Sequence, residues 1–109
     1  MTNLKDLYTI AIERGSKIVS AESCTAGLLA ACLTEMPGSS AFFEQGYITY
    51  SNRSKISVLG VDEKILERHG AVSEEVAKQM AKGALNKSRG TIAISITGIA
   101  GPGGSDYKP

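Results

Sequence analysis

Apolar residues at the start of the chain recur at helical spacing. Leu4, Leu7, Tyr8, Ile10 and Ala11 share a face and Gly15 follows as a terminator, which predicts a helix over residues 2–14. Residues 17–21 (KIVSA) are short, β-branched and bounded by Gly15 and by the polar Glu22-Ser23-Cys24-Thr25 turn, as a buried strand would be. Thr25 then offers a cap, and residues 26–36 are good or neutral helix formers after one glycine, stopped by Pro37 and Gly38. A second strand is expected in FFEQGYITYS, ending near Tyr50. Ser51 and Asn52 offer a cap for a short helix through Lys55, Ile56, Val58 and Leu59, closed by Gly60. A further helical segment is expected over residues 62–68. Ser73 followed by Glu74 and Glu75 starts a helix whose apolar stripe, Val76, Met80 and Ala84, runs to about Ser88. The third strand, residues 91–96 (TIAISI), is nearly all apolar, as expected of a strand covered on both faces. Helices alternating with strands imply a layered α/β fold with a largely parallel sheet.

Composition narrows the function. With 109 residues the chain suits one small domain, able to remove about two thirds of its surface from water. Apolar residues make up 42% and charged residues 21%, which argues against disorder. Its longest apolar runs, residues 26–33 and 92–96, fall far short of the roughly 20 needed to span a bilayer. The amphipathic N-terminus does not read as a signal peptide, so a cytoplasmic protein with no membrane partner is expected. Twelve basic against 11 acidic residues leave no basic excess, and no nucleic-acid partner is expected. A single histidine, His69, and two cysteines without Cys-x-x-Cys spacing leave no metal site in view. Cys24 and Cys32 both fall in a segment that reads as helix, where such cysteines usually act as small hydrophobes.

In open α/β sheets ligands bind beyond the carboxyl ends of the strands. Three polar segments lie at such ends: Glu22-Ser23-Cys24-Thr25, Tyr50-Ser51-Asn52 and residues 97–106. Each read alone is a set of turn and cap residues; three together suggest a site. Ser23, at a helix N-terminus, would gain from the dipole and from free N–H groups able to hold an oxyanion, but a serine nucleophile needs a base. His69, beside Gly70 at a helix end, reads as a surface or capping residue. Lysine is the known alternative where burial or nearby cations favour its neutral form, and Lys55 is the best placed, with Tyr50 able to relay or donate a proton. On the residues alone a solvated helix lysine is the simpler reading of Lys55. The loop GIAGPGGSD is neither a P-loop nor G-x-G-x-x-G, though its glycines permit close backbone approach to an anion or a carbonyl. Arg53 and Lys108 are candidate phosphate partners, although most charged residues on such a surface are merely solvated.

In this order and spacing, AESCTAGLLAACLTEMPGSSAFFEQGYITYSNRSK, LGV, HGAVSEEVAKQMAKGAL and ITGIAGPGGSDYKP resemble the C-terminal domain of the competence/damage-inducible CinA proteins, which also occurs alone as nicotinamide mononucleotide deamidase. The resemblance covers residues 18–109 and implies a three-layer α/β/α sandwich. It also implies metal-free and cofactor-free hydrolysis of the carboxamide of nicotinamide mononucleotide to nicotinate mononucleotide and ammonia. It places the nucleophile on Ser23, a tyrosine on Tyr50 and the lysine on Lys55, reversing the simpler reading of that lysine. Cys24 and Thr25 N–H groups are candidate oxyanion donors on physical grounds. Ser39, Ser40, Asn52, Thr97, Gly98, Gly101, Gly103 and Gly104 are expected to line the nucleotide site, and a homodimer is expected. Where the family has Gly-Gly after E-S-C-T this chain has Ala26-Gly27, expected only to trim flexibility. The family's last strands and long helix are expected to be lacking from this single domain of residues 1–109. That leaves a non-catalytic nucleotide-binding or assembly module as the alternative function, with a cysteine hydrolase using Cys24 as a distant third.

Overall fold

The computed structural model describes residues 4–98. In chain order these form α1 (Leu4–Arg14), β1 (Ile18–Glu22), α2 (Leu28–Leu33), a 3-10 turn (Ser39–Ala41), β2 (Phe43–Ile48), α3 (Asn52–Leu59), α4 (Glu63–His69), α5 (Glu74–Lys87) and β3 (Ile92–Ile96). The strands make one parallel sheet in the order β2-β1-β3, with Glu22 level with Ile48 on one side and with Ile96 on the other. Helices cover both faces. Val19 and Ala21 pack on one side with Leu59, Val61, Leu66, Val76, Met80 and Ala84, while Ile18 packs on the other with Tyr8, Ala11, Leu33 and Phe42. The fold is therefore the expected three-layer α/β/α arrangement. No described helix is long and apolar enough to cross a membrane.

The sequence pattern holds best where a side chain caps a helix. Ser51 accepts the N–H of Ser54, Asp62 that of Lys64, and Ser73 that of Val76, and each relieves one of the open donors at a helix start. Three expectations change. The strand buried on both faces is β1, every residue of which is buried, whereas β3 lies at the edge of the sheet among the described residues, with Ile92 45% exposed. Second, β2 ends at Ile48 rather than near Tyr50, although the Thr49 N–H still donates to Glu22 O at 2.8 Å. Third, α2 starts at Leu28, two residues later than the pattern predicts, and ends at Leu33. Cys24 consequently lies in the turn before it, half-buried, and only the exposed Cys32 is helical.

Helix α3, which carries Lys55, is fixed by its contact with α5 and by its caps. Gly83 of α5 sits so close to the end of α3 that a Cβ there would stand 1.9 Å from the Leu59 carbonyl oxygen. Gly83→Ala must push the two helices apart, and a loss of about 3 kcal/mol in unfolding free energy is expected from forced overpacking of this kind. A urea melt showing less than about 1 kcal/mol of change at constant m-value would mean that the contact is not rigid.

Candidate active site

The Glu22-Ser23 peptide is clamped by both neighbouring strands. Glu22 O accepts from Thr49 N at 2.8 Å, and Ser23 N donates to Ile96 O at 3.0 Å. Ser23 thus leaves the central strand at a fixed point, its residue fully buried. Lys55 comes to meet it from α3. Capping by Ser51 starts that helix immediately beyond β2, and the Lys55 N–H donates to Ser51 O at 3.1 Å. Lys55 is also fully buried, and its Nζ lies 2.9 Å from Ser23 Oγ, 3.0 Å from Thr49 O and 3.1 Å from Tyr50 O. Ser23 Oγ is itself 3.4 Å from Tyr50 O. A hydroxyl, an amine and two carbonyls therefore share one small volume.

This geometry accommodates either proton position. A neutral amine has two N–H donors and one lone pair, which suffice to hold the two carbonyls while accepting the Ser23 O–H. An ammonium has three donors for the same three oxygens, and the Ser23 hydroxyl can then turn toward Tyr50 O. Moving the proton from oxygen to nitrogen requires no displacement of a heavy atom, the preorganisation wanted of a nucleophile and its base.

Sequence reasoning missed the next feature. Glu22 is fully buried, and its carboxylate accepts from the Thr25 hydroxyl at 2.6 Å and from the N–H groups of Gly27 at 3.2 Å, Leu29 at 2.9 Å and Ala30 at 2.9 Å. Burial is the largest single influence on this carboxyl and raises its pKa. The four hydrogen bonds, led by that of Thr25, together outweigh it and hold the group below the ordinary carboxylate range. The available signal was an acidic residue closing an otherwise apolar strand. Thr25 therefore serves Glu22 rather than capping the helix, and the N–H groups at the start of α2 are not open to an oxyanion as expected. Cys24 and Thr25 N–H groups make no hydrogen bond to another described residue. Ala26 is held at φ 51° and Gly27 at φ 105°. The alanine thus does more than trim flexibility: it occupies the left-handed region that an L side chain disfavours.

The other expected site residues divide. Gly98 lies beside the turn, a Cβ there coming 3.5 Å from Cys24 Sγ. The Thr97 hydroxyl donates to Ala71 O at 2.8 Å, so it ties β3 to the loop before α5. Tyr50 contributes its carbonyl, while its residue is 55% exposed. Asn52 is exposed at the start of α3. Ser39 and Ser40 stand apart from this mouth. They precede β2, where Ile18 N donates to Phe42 O, and so belong to the amino ends of the strands. The five residues of β1 separate the two ends by roughly 16 Å. Gly101, Gly103 and Gly104 lie outside the described residues. His69 closes α4, with Nδ1 3.7 Å from Glu75, away from this cluster.

Comparison with known proteins places the sequence and the fold in a family. The model of the CinA C-terminal domain family matches residues 2–109. A CinA-like protein of Chloroherpeton thalassium is 61% identical over 97 residues, covering 88% of this chain and 23% of that protein. The nicotinamide-nucleotide amidohydrolase PncC of Escherichia coli is 54% identical over 97 residues, covering 88% of this chain and 59% of the relative. The crystal structure of the competence/damage inducible protein CihA from Agrobacterium tumefaciens superposes with a TM-score of 0.90 at 48% identity, covering 97% of this chain and 65% of the other. The chain thus spans about a quarter of the CinA-like protein and under two thirds of PncC.

Two outcomes follow from the Glu22 turn. A carboxyl whose pKa is depressed on folding contributes its stability above the unfolded value and loses it as pH falls through the folded one. Urea-unfolding free energy is expected to decline below about pH 5. Glu22→Gln should lower stability by about 2 kcal/mol at pH 7 and flatten that decline. Equal acid slopes in the two proteins would exclude Glu22 as the titrating group. Ala26→Gly should raise the unfolding free energy by about 0.5–1 kcal/mol, since glycine accepts positive φ without strain; a decrease would contradict the strain at this position.

Proposed function

The chain belongs to the CinA C-terminal domain family, and on that premise we propose that it is a nicotinamide-nucleotide amidohydrolase working through Ser23 and Lys55. One observation carries the reading: Lys55 Nζ approaches Ser23 Oγ to 2.9 Å with both residues fully buried. The substrate class is taken from the name of the PncC relative, a nicotinamide-nucleotide amidohydrolase, and the reaction proposed for this chain converts nicotinamide mononucleotide to nicotinate mononucleotide and ammonia.

In the proposed reaction the neutral Lys55 amine takes the Ser23 proton as Oγ bonds to the amide carbon and the carbonyl electrons move onto oxygen. The Cys24 and Thr25 N–H groups receive that oxyanion. The Lys55 ammonium returns its proton to the amide nitrogen, the carbon–nitrogen bond breaks, and ammonia leaves an ester on Ser23. Water, deprotonated by Lys55, adds to the ester carbon, the carbon–Oγ bond breaks, and the Lys55 ammonium returns its proton to Ser23 Oγ as the acid product leaves and ionises to the carboxylate. Throughout, Thr49 O and Tyr50 O hold Nζ in place. The Tyr50 phenol is assigned a proton-relay role. Asn52, Thr97 and Gly98, with Gly101, Gly103 and Gly104 of the following loop, are assigned to the nucleotide. Neither metal nor cofactor enters the scheme, and the active unit is proposed to be a homodimer.

Ammonia release from nicotinamide mononucleotide tests the proposal. Ser23→Ala is expected to lower the rate by about 10³-fold or more, and Lys55→Met comparably, as for members of one catalytic unit. Turnover by Ser23→Ala at the parent rate would eliminate the serine mechanism. Calorimetric binding of nicotinate mononucleotide to a parent protein that releases no ammonia would favour a non-catalytic binding module instead.

A further inference from the structure

Between the end of β1 and the body of α2 the chain makes a turn that local preference opposes. The sequence pattern favours a helix from residue 26, but Ala26 and Gly27 are both at positive φ and the helix begins at Leu28. The Glu22 carboxylate is the group that spans this turn. Its Oε1 takes the Thr25 hydroxyl and the Gly27 and Leu29 N–H groups, and its Oε2 takes the Ala30 N–H. Donors from both sides of the strained alanine therefore converge on one buried side chain. The same residue is anchored through its carbonyl to Thr49 N, and Thr49 O holds Lys55 Nζ. The carboxylate, the turn and the lysine form one connected unit. Without the carboxylate, Ala26 would be free to relax to negative φ and the turn to wind into α2, which would swing the Ser23 side chain away from Lys55 while its N–H stays on Ile96 O.

Resting on the reading of Ser23 as nucleophile, we infer that the Glu22 carboxylate is a positioning residue for it. By holding Thr25, Gly27, Leu29 and Ala30, it keeps the 23–26 turn out of α2, so that Ser23 stays against Lys55 and the Cys24 and Thr25 N–H groups stay uncommitted. Glu22 touches neither Ser23 Oγ nor the reacting amide, and its effect passes through the turn alone.

The experiment is covalent labelling of Ser23 by a fluorophosphonate, followed by intact-mass spectrometry, which reads nucleophile competence without requiring substrate turnover. Glu22→Gln, Thr25→Val, Ser23→Ala and Phe42→Leu are compared with the parent, each checked for a cooperative urea transition and labelled at the same residual stability. Phe42 is buried at the amino end of β2, so its variant controls for destabilisation remote from the site. Glu22→Gln is expected to label about tenfold more slowly or worse, Thr25→Val about fivefold more slowly, and Phe42→Leu at the parent rate. Where turnover is measurable, kcat should fall and KM should not. If Glu22→Gln does not fold, Thr25→Val decides. Labelling of Glu22→Gln and Thr25→Val within twofold of the parent overturns the positioning role, as does equal slowing of Phe42→Leu. A parent that does not label, or a Ser23→Ala protein that does, instead overturns the nucleophile reading.

Discussion

A carboxylate taken out of water must be surrounded by donors, and at the end of the central strand that requirement shapes the whole 22–30 segment. Burying an ionised carboxyl without partners is prohibitive, whereas one with several hydrogen bonds is tolerated. Glu22 obtains its partners from the start of α2, so the first open N–H groups of that helix face inward to the carboxylate. The start of the helix is consequently delayed to Leu28. Ser23, immediately after the carboxylate, is left in a turn held from below by the helix and from either side by β2 and β3. The position of Ser23, the proposed nucleophile, thus rests on satisfying its neighbour as well as on the strand hydrogen bond to Ile96 O.

Lys55 poses the same problem with the opposite sign. Its nitrogen is buried and must be met by acceptors, and the chain supplies the Thr49 and Tyr50 carbonyls, freed because β2 ends at Ile48. The end of that strand is therefore useful: the Thr49 carbonyl, which a longer ladder with β1 would have engaged, and the Tyr50 carbonyl after it both turn toward Nζ. Helix α3 delivers the lysine from a cap at Ser51, and its far end rests on Gly83 without room for a side chain. A buried carboxylate and a buried amine, each satisfied by main-chain groups, stand on either side of Ser23.

Much of this was legible in the sequence because it is local. Side-chain caps at Ser51 and Ser73, the apolar stripe of α5 and the alternation of helices with strands depend on neighbours a few residues apart, and they were read correctly. The candidates Ser23 and Lys55 could be picked out by residue type and by lying at strand ends, but Lys55 on its own looked like a solvated helix residue. Its burial depends on Leu59 meeting Gly83 and on residue 23 lying level with residue 49, neither of which is a local property. The Glu22 network was invisible for the same reason. A carboxylate bonding three, five, seven and eight residues ahead has no periodic signature, and Thr25 read as a cap because its type fits one. Ser39 and Ser40 were grouped with the site by motif order, yet motif order says nothing about which end of a parallel strand a segment occupies.

Magnitudes decide how the turn resolves its internal conflict. Holding an alanine in the left-handed region costs about 1–2 kcal/mol, and delaying the helix by two residues forgoes roughly one further hydrogen bond, about 1 kcal/mol. Against this stand four hydrogen bonds to an ionised carboxylate, each contributing about 1.5–3 kcal/mol, two of which would be lost or lengthened if the helix wound back to residue 26. The carboxylate outweighs the strain by a small margin, enough for Ala26 to take the conformation a glycine would take there. The identity of residue 26 therefore sets how much stability the turn retains, and the charge on Glu22 sets its shape. A preference for glycine at that position would reflect relief of strain and not a separate requirement of the chemistry at Ser23.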